Sequence, residues 1–164
     1  MKLVSVGVDG QEAQLSPEEF ISQDMNLKVL KTITFPSYLM DNVKFVSYKI
    51  MPRAQNTHAN VNAGFLFQFN INGTLDSATI VYGNINPTFT HATATETLLA
   101  GKDLFDDNVL QQALTSLSSE LICDVIPPDP SPDYRKQLAM ALFYKVSIDV
   151  PATKISIFKF RQFW

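Results

Sequence analysis

Cysteine is all but absent: Cys123 is the only one in 164 residues. A lone thiol excludes an internal disulfide framework and an all-cysteine metal centre within the chain. Histidine is nearly as scarce. His58 and His91 stand far apart with no metal-ligand spacing, so both read as loop or strand-edge residues. Glycine occupies six positions, and none builds a P-loop or a Gly-x-Gly-x-x-Gly turn; a His-Glu-x-x-His helix is missing too. No apolar run approaches the ~20 residues of a membrane span. Met1-Lys2-Leu3-Val4 opens a short alternating segment and not a secretory signal. Net charge is −3 with both signs interspersed, which gives no electrostatic footprint for nucleic acid. The expectation is a soluble protein of a reducing compartment, the cytoplasm, with neither membrane nor nucleic acid as partner.

What is present is a globular composition, 46% hydrophobic and 18% charged, sufficient for a buried core. Lys2 to Asp9 alternates as a strand, and Asp9-Gly10 makes a hairpin turn. Ser16-Pro17-Glu18-Glu19 is a helix start: Ser16 caps, Pro17 suits the first helical position and Glu19 completes a capping box. That helix is short, because Asp24 to Asn26 loses the pattern. Val29 to Phe35, Lys44 to Met51, Asn60 to Asn70 and Asp76 to Tyr82 read as four strands of one antiparallel sheet, with Asn72-Gly73 as a two-residue turn. Phe65, Phe67 and Phe69 against Leu66 and Gln68 show the period of two.

From Thr93 the period becomes helical. Thr95 to Leu99 is a brief helix closed by Gly101. Asp106 or Asp107 caps a second helix over 108–121, whose stripe is Leu110, Leu114, Leu117 and Leu121. Ser131-Pro132 opens a third, after a proline-rich connector. Strands first and helices second argue an α+β fold: about four antiparallel strands with helices on one face, preceded by a short β-hairpin and helix.

Few residues suggest chemistry. Cys123 reads as a buried, inert thiol with no local histidine or basic cluster to activate it. The polar segment from Lys49 to Asn60 is long for a hairpin link, and long ordered loops often carry function; a solvated connector explains it equally well. Asn84-Ile85-Asn86-Pro87 reads as a second polar turn of structural purpose. The basic, aromatic stretch Lys154 to Trp164 fits an edge strand or a disordered end.

Taken in order, several stretches resemble one family. Phe45-Val46-Ser47-Tyr48-Lys49, Pro52-Arg53-Ala54-Gln55-Asn56 and Val61-Asn62-Ala63-Gly64-Phe65 come first. Val81-Tyr82-Gly83-Asn84-Ile85, Thr95 to Lys102 and Leu138 to Lys145 follow. Over about residues 1 to 146 the series resembles the C-terminal part of the flavin domain of molybdenum hydroxylases, of the insect aldehyde oxidase and xanthine dehydrogenase kind. The resemblance implies residues 1–27 as the end of a preceding FAD-binding subdomain, 28–148 as the C-terminal subdomain and 149–164 as a divergent tail. It implies FAD in the full-length enzyme, held weakly or not at all by this chain alone. The iron–sulfur and molybdenum sites lie outside the chain, and the partner is the remainder of the flavoenzyme or its FAD-binding subdomain. Leu30 matches an apolar residue near the flavin, and Lys49 a lysine ending the strand that leads to the ring. Arg53, Gln55 and Asn56 match a flavin-adjacent loop that carries acidic residues in the xanthine dehydrogenases. The chain then holds no complete active site and is an aldehyde oxidase-like fragment or paralogue; the rival is a stand-alone binding protein that kept the fold and lost the redox role.

Overall fold

The structure is a computed structural model that describes residues 1–37, 42–55, 57–126 and 130–161, those after 150 as backbone only. The chain divides into two compact units, Met1–Leu39 and Met40–Trp164.

In the first unit, β1 (Lys2–Gly7) and β2 (Glu12–Leu15) form the expected hairpin. Gly10 supplies the positive φ, +77°, that its turn requires. The capping box of α1 (Pro17–Ser22) is complete: Glu19 N–H donates to Ser16 Oγ at 3.2 Å, and Ser16 N–H donates to the Glu19 carboxylate at 2.7 Å. Those bonds to Ser16 hold the Glu19 carboxyl below its usual pKa. β3 (Lys28–Thr34) departs from expectation. It pairs antiparallel with β1, giving a sheet of order β2-β1-β3, and does not join the strands over 43–83. Its β-branched composition identifies a strand, but a strand's partner is set by tertiary register. Among its described residues the unit buries one apolar side chain, Leu3, while Val29, Ile33 and Phe35 on and beside β3 are exposed.

The second unit carries the core. β4 (Val43–Ile50), β5 (Val61–Phe69), β6 (Leu75–Gly83) and the two-residue β7 (Thr90–His91) form an antiparallel sheet in that order. It is four-stranded as expected, with β7 in the place assigned to β3. On β5 the period of two holds strictly: Val61, Ala63, Phe65, Phe67 and Phe69 are buried, and Asn62, Gly64, Leu66 and Gln68 face the other way. The β5–β6 turn is one residue longer than expected. Asn70 N–H donates to Thr74 O, leaving Ile71-Asn72-Gly73 as the loop. Of these only Gly73 has positive φ, +89°, the arrangement of a three-residue hairpin with its left-handed residue last.

Helices cover the buried face. α2 (Thr93–Leu99) packs on β6, and α4 (Pro132–Arg161) packs on β5 and β4. α3 (Asp107–Glu120) lies against α2 and α4. Asp106 caps α3, accepting the amides of Asn108 and Val109. Ala113 and Leu117 are its buried residues and Leu121 is buried at its C-cap, with Leu110 and Leu114 half-buried beside them. α4 continues through Arg161, across the alternating stretch that fitted an edge strand; extending a packed helix needs no new nucleus. One core group lacks a partner: the Tyr82 hydroxyl is buried without a hydrogen bond among the described residues, and burial pushes its pKa far up. Tyr82→Phe is therefore expected to leave stability unchanged or to raise it by up to about 1 kcal/mol, read from urea denaturation. A loss above that figure would reveal a partner.

Candidate functional site

Of the sequence-predicted residues, Lys49 lies on the open face of the second sheet. Register places Lys49 on β4 beside Asn62 on β5, and Asn62 beside Gly83 on β6. The next row toward the sheet centre is Ser47, Gly64, Val81 and His91, and the one after it is Phe45, Leu66 and Thr79. Together Ser47, Lys49, Asn62, Gly64, Val81 and Phe89 line an open groove of about 600 Å3. Its floor is flat for a specific reason. A Cβ on Gly64 would meet only the ring edge of Phe45, 4.0 Å away. At Gly83 the missing Cβ leaves room for the Asn62 amide, whose Oδ1 lies 2.0 Å from where that atom would be.

Arg53 and Gln55 lie in the exposed bends that follow β4. Asn56 falls outside the described residues. Leu30 belongs to β3 of the first unit, where it is partly exposed. The loop after β4 closes at its neck, where Asn60 N–H donates to Ile50 O at 2.7 Å.

Two residues that hold this neck carry little sequence signal. Asn84 adopts a left-handed conformation, φ +64°, which asparagine tolerates better than most residues. Its side-chain amide donates to Ala59 O at 2.8 Å and Asn60 O at 3.0 Å. Its own carbonyl accepts Arg135 Nη1 at 2.8 Å. Arg135 is fully buried and also donates to the carbonyls of Ile85, Pro130 and Asp124. It thereby joins the start of α4, the α3–α4 connector and the end of β6. A charged residue near a helix start ordinarily reads as solvated, so only the Asn84-Ile85-Asn86-Pro87 turn pointed here.

The remaining candidates are structural. His58 is exposed in the loop, and His91 at the sheet edge lies 2.8 Å from the Glu96 carboxylate. Burial raises the Glu96 carboxyl, against bonds from Ile80 N–H and His91 that lower it. Glu120 accepts the Ala94 and Thr95 amides, each at 2.8 Å, and so caps α2 from another helix. Among the described residues no group of three or more His, Cys, Asp or Glu is placed to hold a metal. Cys123 is half-buried; burial raises its thiol pKa, opposed by Arg135 and Lys136. Cations therefore do stand near the thiol, brought there by α4 and not by adjacent sequence. Tyr48, on the buried side, donates to Asp149 at 3.3 Å. No described helix is long and apolar enough to cross a membrane.

Comparison with known proteins bears on the family and the fold. The family model of the CO dehydrogenase flavoprotein C-terminal domain matches residues 46–150. Aldehyde oxidase 3 of Rattus norvegicus is 30% identical over 141 residues, 85% of this chain and 10% of that protein. Xanthine dehydrogenase of Emericella nidulans is 25% identical over 122 residues, 74% of this chain and 9% of that protein. The chain thus spans about a tenth of the length of these relatives. A solved structure of carbon monoxide dehydrogenase from Hydrogenophaga pseudoflava, lacking the Mo-pyranopterin moiety, shares the fold. Its TM-score is 0.72 at 20% identity, over 85% of this chain and 48% of that one.

Proposed function

The chain belongs to the CO dehydrogenase flavoprotein C-terminal domain family, and we propose that it forms the ring-facing part of the flavin domain in an aldehyde oxidase-like, cytoplasmic molybdo-flavoenzyme. It contributes to electron transfer there and is not catalytic alone. The observation that carries this reading is the glycine-floored groove beside Lys49. A planar heteroaromatic ring fits a sheet face that Gly64 leaves without a side chain, beside the Asn62 amide that lies over Gly83. The groove residues would hold the ring of FAD, which would supply electron transfer between the enzyme's metal centres and a final acceptor. Lys49 would supply a cation that favours negative charge on the reduced ring. Because β3 pairs within the first unit, we place the boundary between the FAD-binding subdomain and the C-terminal subdomain near residues 39–40 and not at 27–28, with the divergent tail after residue 148. A first unit with one buried apolar side chain among its described residues supports a partner domain, since so small a core stabilises little alone.

The groove suits the ring and not the pyrophosphate. Helix N-termini bind phosphates through free amides, but those of α2 and α3 are already occupied by the Glu120 and Asp106 carboxylates. The chain alone is therefore expected to bind FAD measurably but more weakly than micromolar. Calorimetric titration checks this, and sub-micromolar affinity would overturn it.

The loop after β4 bears on the acceptor. Pro52-Arg53-Ala54-Gln55-Asn56 has no carboxylate where the xanthine dehydrogenases have acidic residues, and Arg53 adds a positive charge. At an effective dielectric of ~20, a unit charge ~4 Å from the ring is worth on the order of 4 kcal/mol before screening. Any enzyme built on this segment is expected to pass electrons to oxygen and not to NAD. Steady-state assays with each acceptor decide the matter: rapid NAD reduction with little peroxide refutes the loop reading.

A further inference from the structure

We propose that Asn62 is a ligand-contacting residue that recognises the imide edge of a flavin ring lying in the groove, and that Gly83 is glycine so that the Asn62 amide lies where it does. The assignment rests on the flavin reading above and extends it to a residue and a ring orientation.

The geometry is directional. Lys49, Asn62 and Gly83 share one register row, and Phe45 and Leu66 share a row four residues along the strands, about 13 Å away. The open sheet face is therefore polar and cationic at the Lys49 row, inside the groove, and apolar at the Phe45 row, just beyond the groove's lining, where the Phe45 side chain is 67% exposed. An isoalloxazine has the same asymmetry. Its pyrimidine end carries two carbonyls around an N–H, and its dimethylbenzene end is a hydrocarbon. The polar row accepts the first and the Phe45 row the second.

Asn62 is suited to the pyrimidine end because a carboxamide offers one donor and one acceptor side by side, the complement of a carbonyl flanked by N–H. Lys49 offers only donors. The side chain of Asn62 is exposed, so packing alone does not demand it. Its position is nevertheless constrained. The amide fills the space over Gly83, with Oδ1, Cγ and Nδ2 at 2.0, 2.9 and 3.0 Å from the site of a Cβ there. Any larger residue at 83 would lift it out of the groove floor. The φ of Gly83 is not positive, so backbone conformation does not require glycine, whereas the Asn62 amide does.

The test uses the full chain and flavin mononucleotide, followed by quenching of flavin fluorescence, with its N3-methyl derivative as the second ligand. Asn62→Ala is expected to weaken flavin mononucleotide about ten-fold. Gly83→Ala should weaken it similarly. The double variant should be no weaker than either single one, because the second change removes a contact already lost. The N3-methyl derivative should bind the wild-type chain as poorly as the parent flavin binds Asn62→Ala. Equal binding of the parent flavin by wild type and Asn62→Ala overturns the assignment and leaves the flavin site standing. Additive losses in the double variant overturn the role given to Gly83. Absence of quenching with the wild-type chain removes the flavin site, and this assignment with it.

Discussion

Replacing Phe65 by alanine is expected to cost the second unit about 3–5 kcal/mol. Phe65 is fully buried on β5, between Val46 of β4 and Ile80 of β6. Its ring meets Tyr48, Phe67, Tyr82 and Phe143 at centroid distances of 6.2, 6.3, 5.7 and 6.3 Å. Those partners come from three strands and from α4, so the void cannot close by moving one element. Hydrogen-bonded strands on both sides fix the walls, and the cost includes the cavity as well as the lost transfer energy. Urea denaturation should show a lower midpoint with an unchanged slope. Leu66→Ala, one residue along on the open face, should cost far less; equal costs would mean that the buried face has been misassigned.

Arg135→Met should be nearly as damaging, at roughly 3 kcal/mol or more. Methionine keeps much of the apolar volume but removes the donors to the carbonyls of Asn84, Pro130 and Asp124. Ile85 O fares better, since it also accepts Asp124 N–H. Buried acceptors deprived of a donor cost roughly 1–3 kcal/mol each, offset in part by no longer burying a charge. Arg135→Lys should recover little, because a compact ammonium cannot reach carbonyls set around a planar fork. Beyond stability, Asn84 loses the bond that fixes its carbonyl, so amide exchange at Asn60 and Val61 should accelerate in both variants. A stable Arg135→Met protein with unchanged exchange there would contradict the role given to Arg135.

Local rules made much of this fold legible. The Ser16–Glu19 box, the Asp106 cap and the alternation of β5 are each determined within a few residues, and sequence displays them directly. The pairing of β3 is not local. Its residues fit any half-exposed sheet, and only the fold selects β1 over β4. β7 is two residues long, too short for periodicity to register. The Asn72-Gly73 signal located its turn but not its length, which Asn70 and the shift at Gln68 and Phe69 determine. The polar pattern marks the segment Lys49 to Asn60, whereas the flavin roles of Lys49, Arg53 and Gln55 come from resemblance. The groove beside them depends on Gly64 and Gly83 coming together across two strands, a relation that no window of sequence contains. Arg135 and the cations near Cys123 were hidden for the same reason.

The central claim is that the open sheet face around Lys49 and Gly64 meets a flavin ring whose phosphates are held elsewhere. Amide chemical shifts of the isotopically labelled chain, followed during titration with flavin mononucleotide and separately with FAD, test it most directly. The account predicts perturbations confined to residues 47–49, 62–64 and 81–83, with FAD binding no more tightly than the mononucleotide. Perturbations centred on the helices, none with either ligand, or a marked preference for FAD would contradict it.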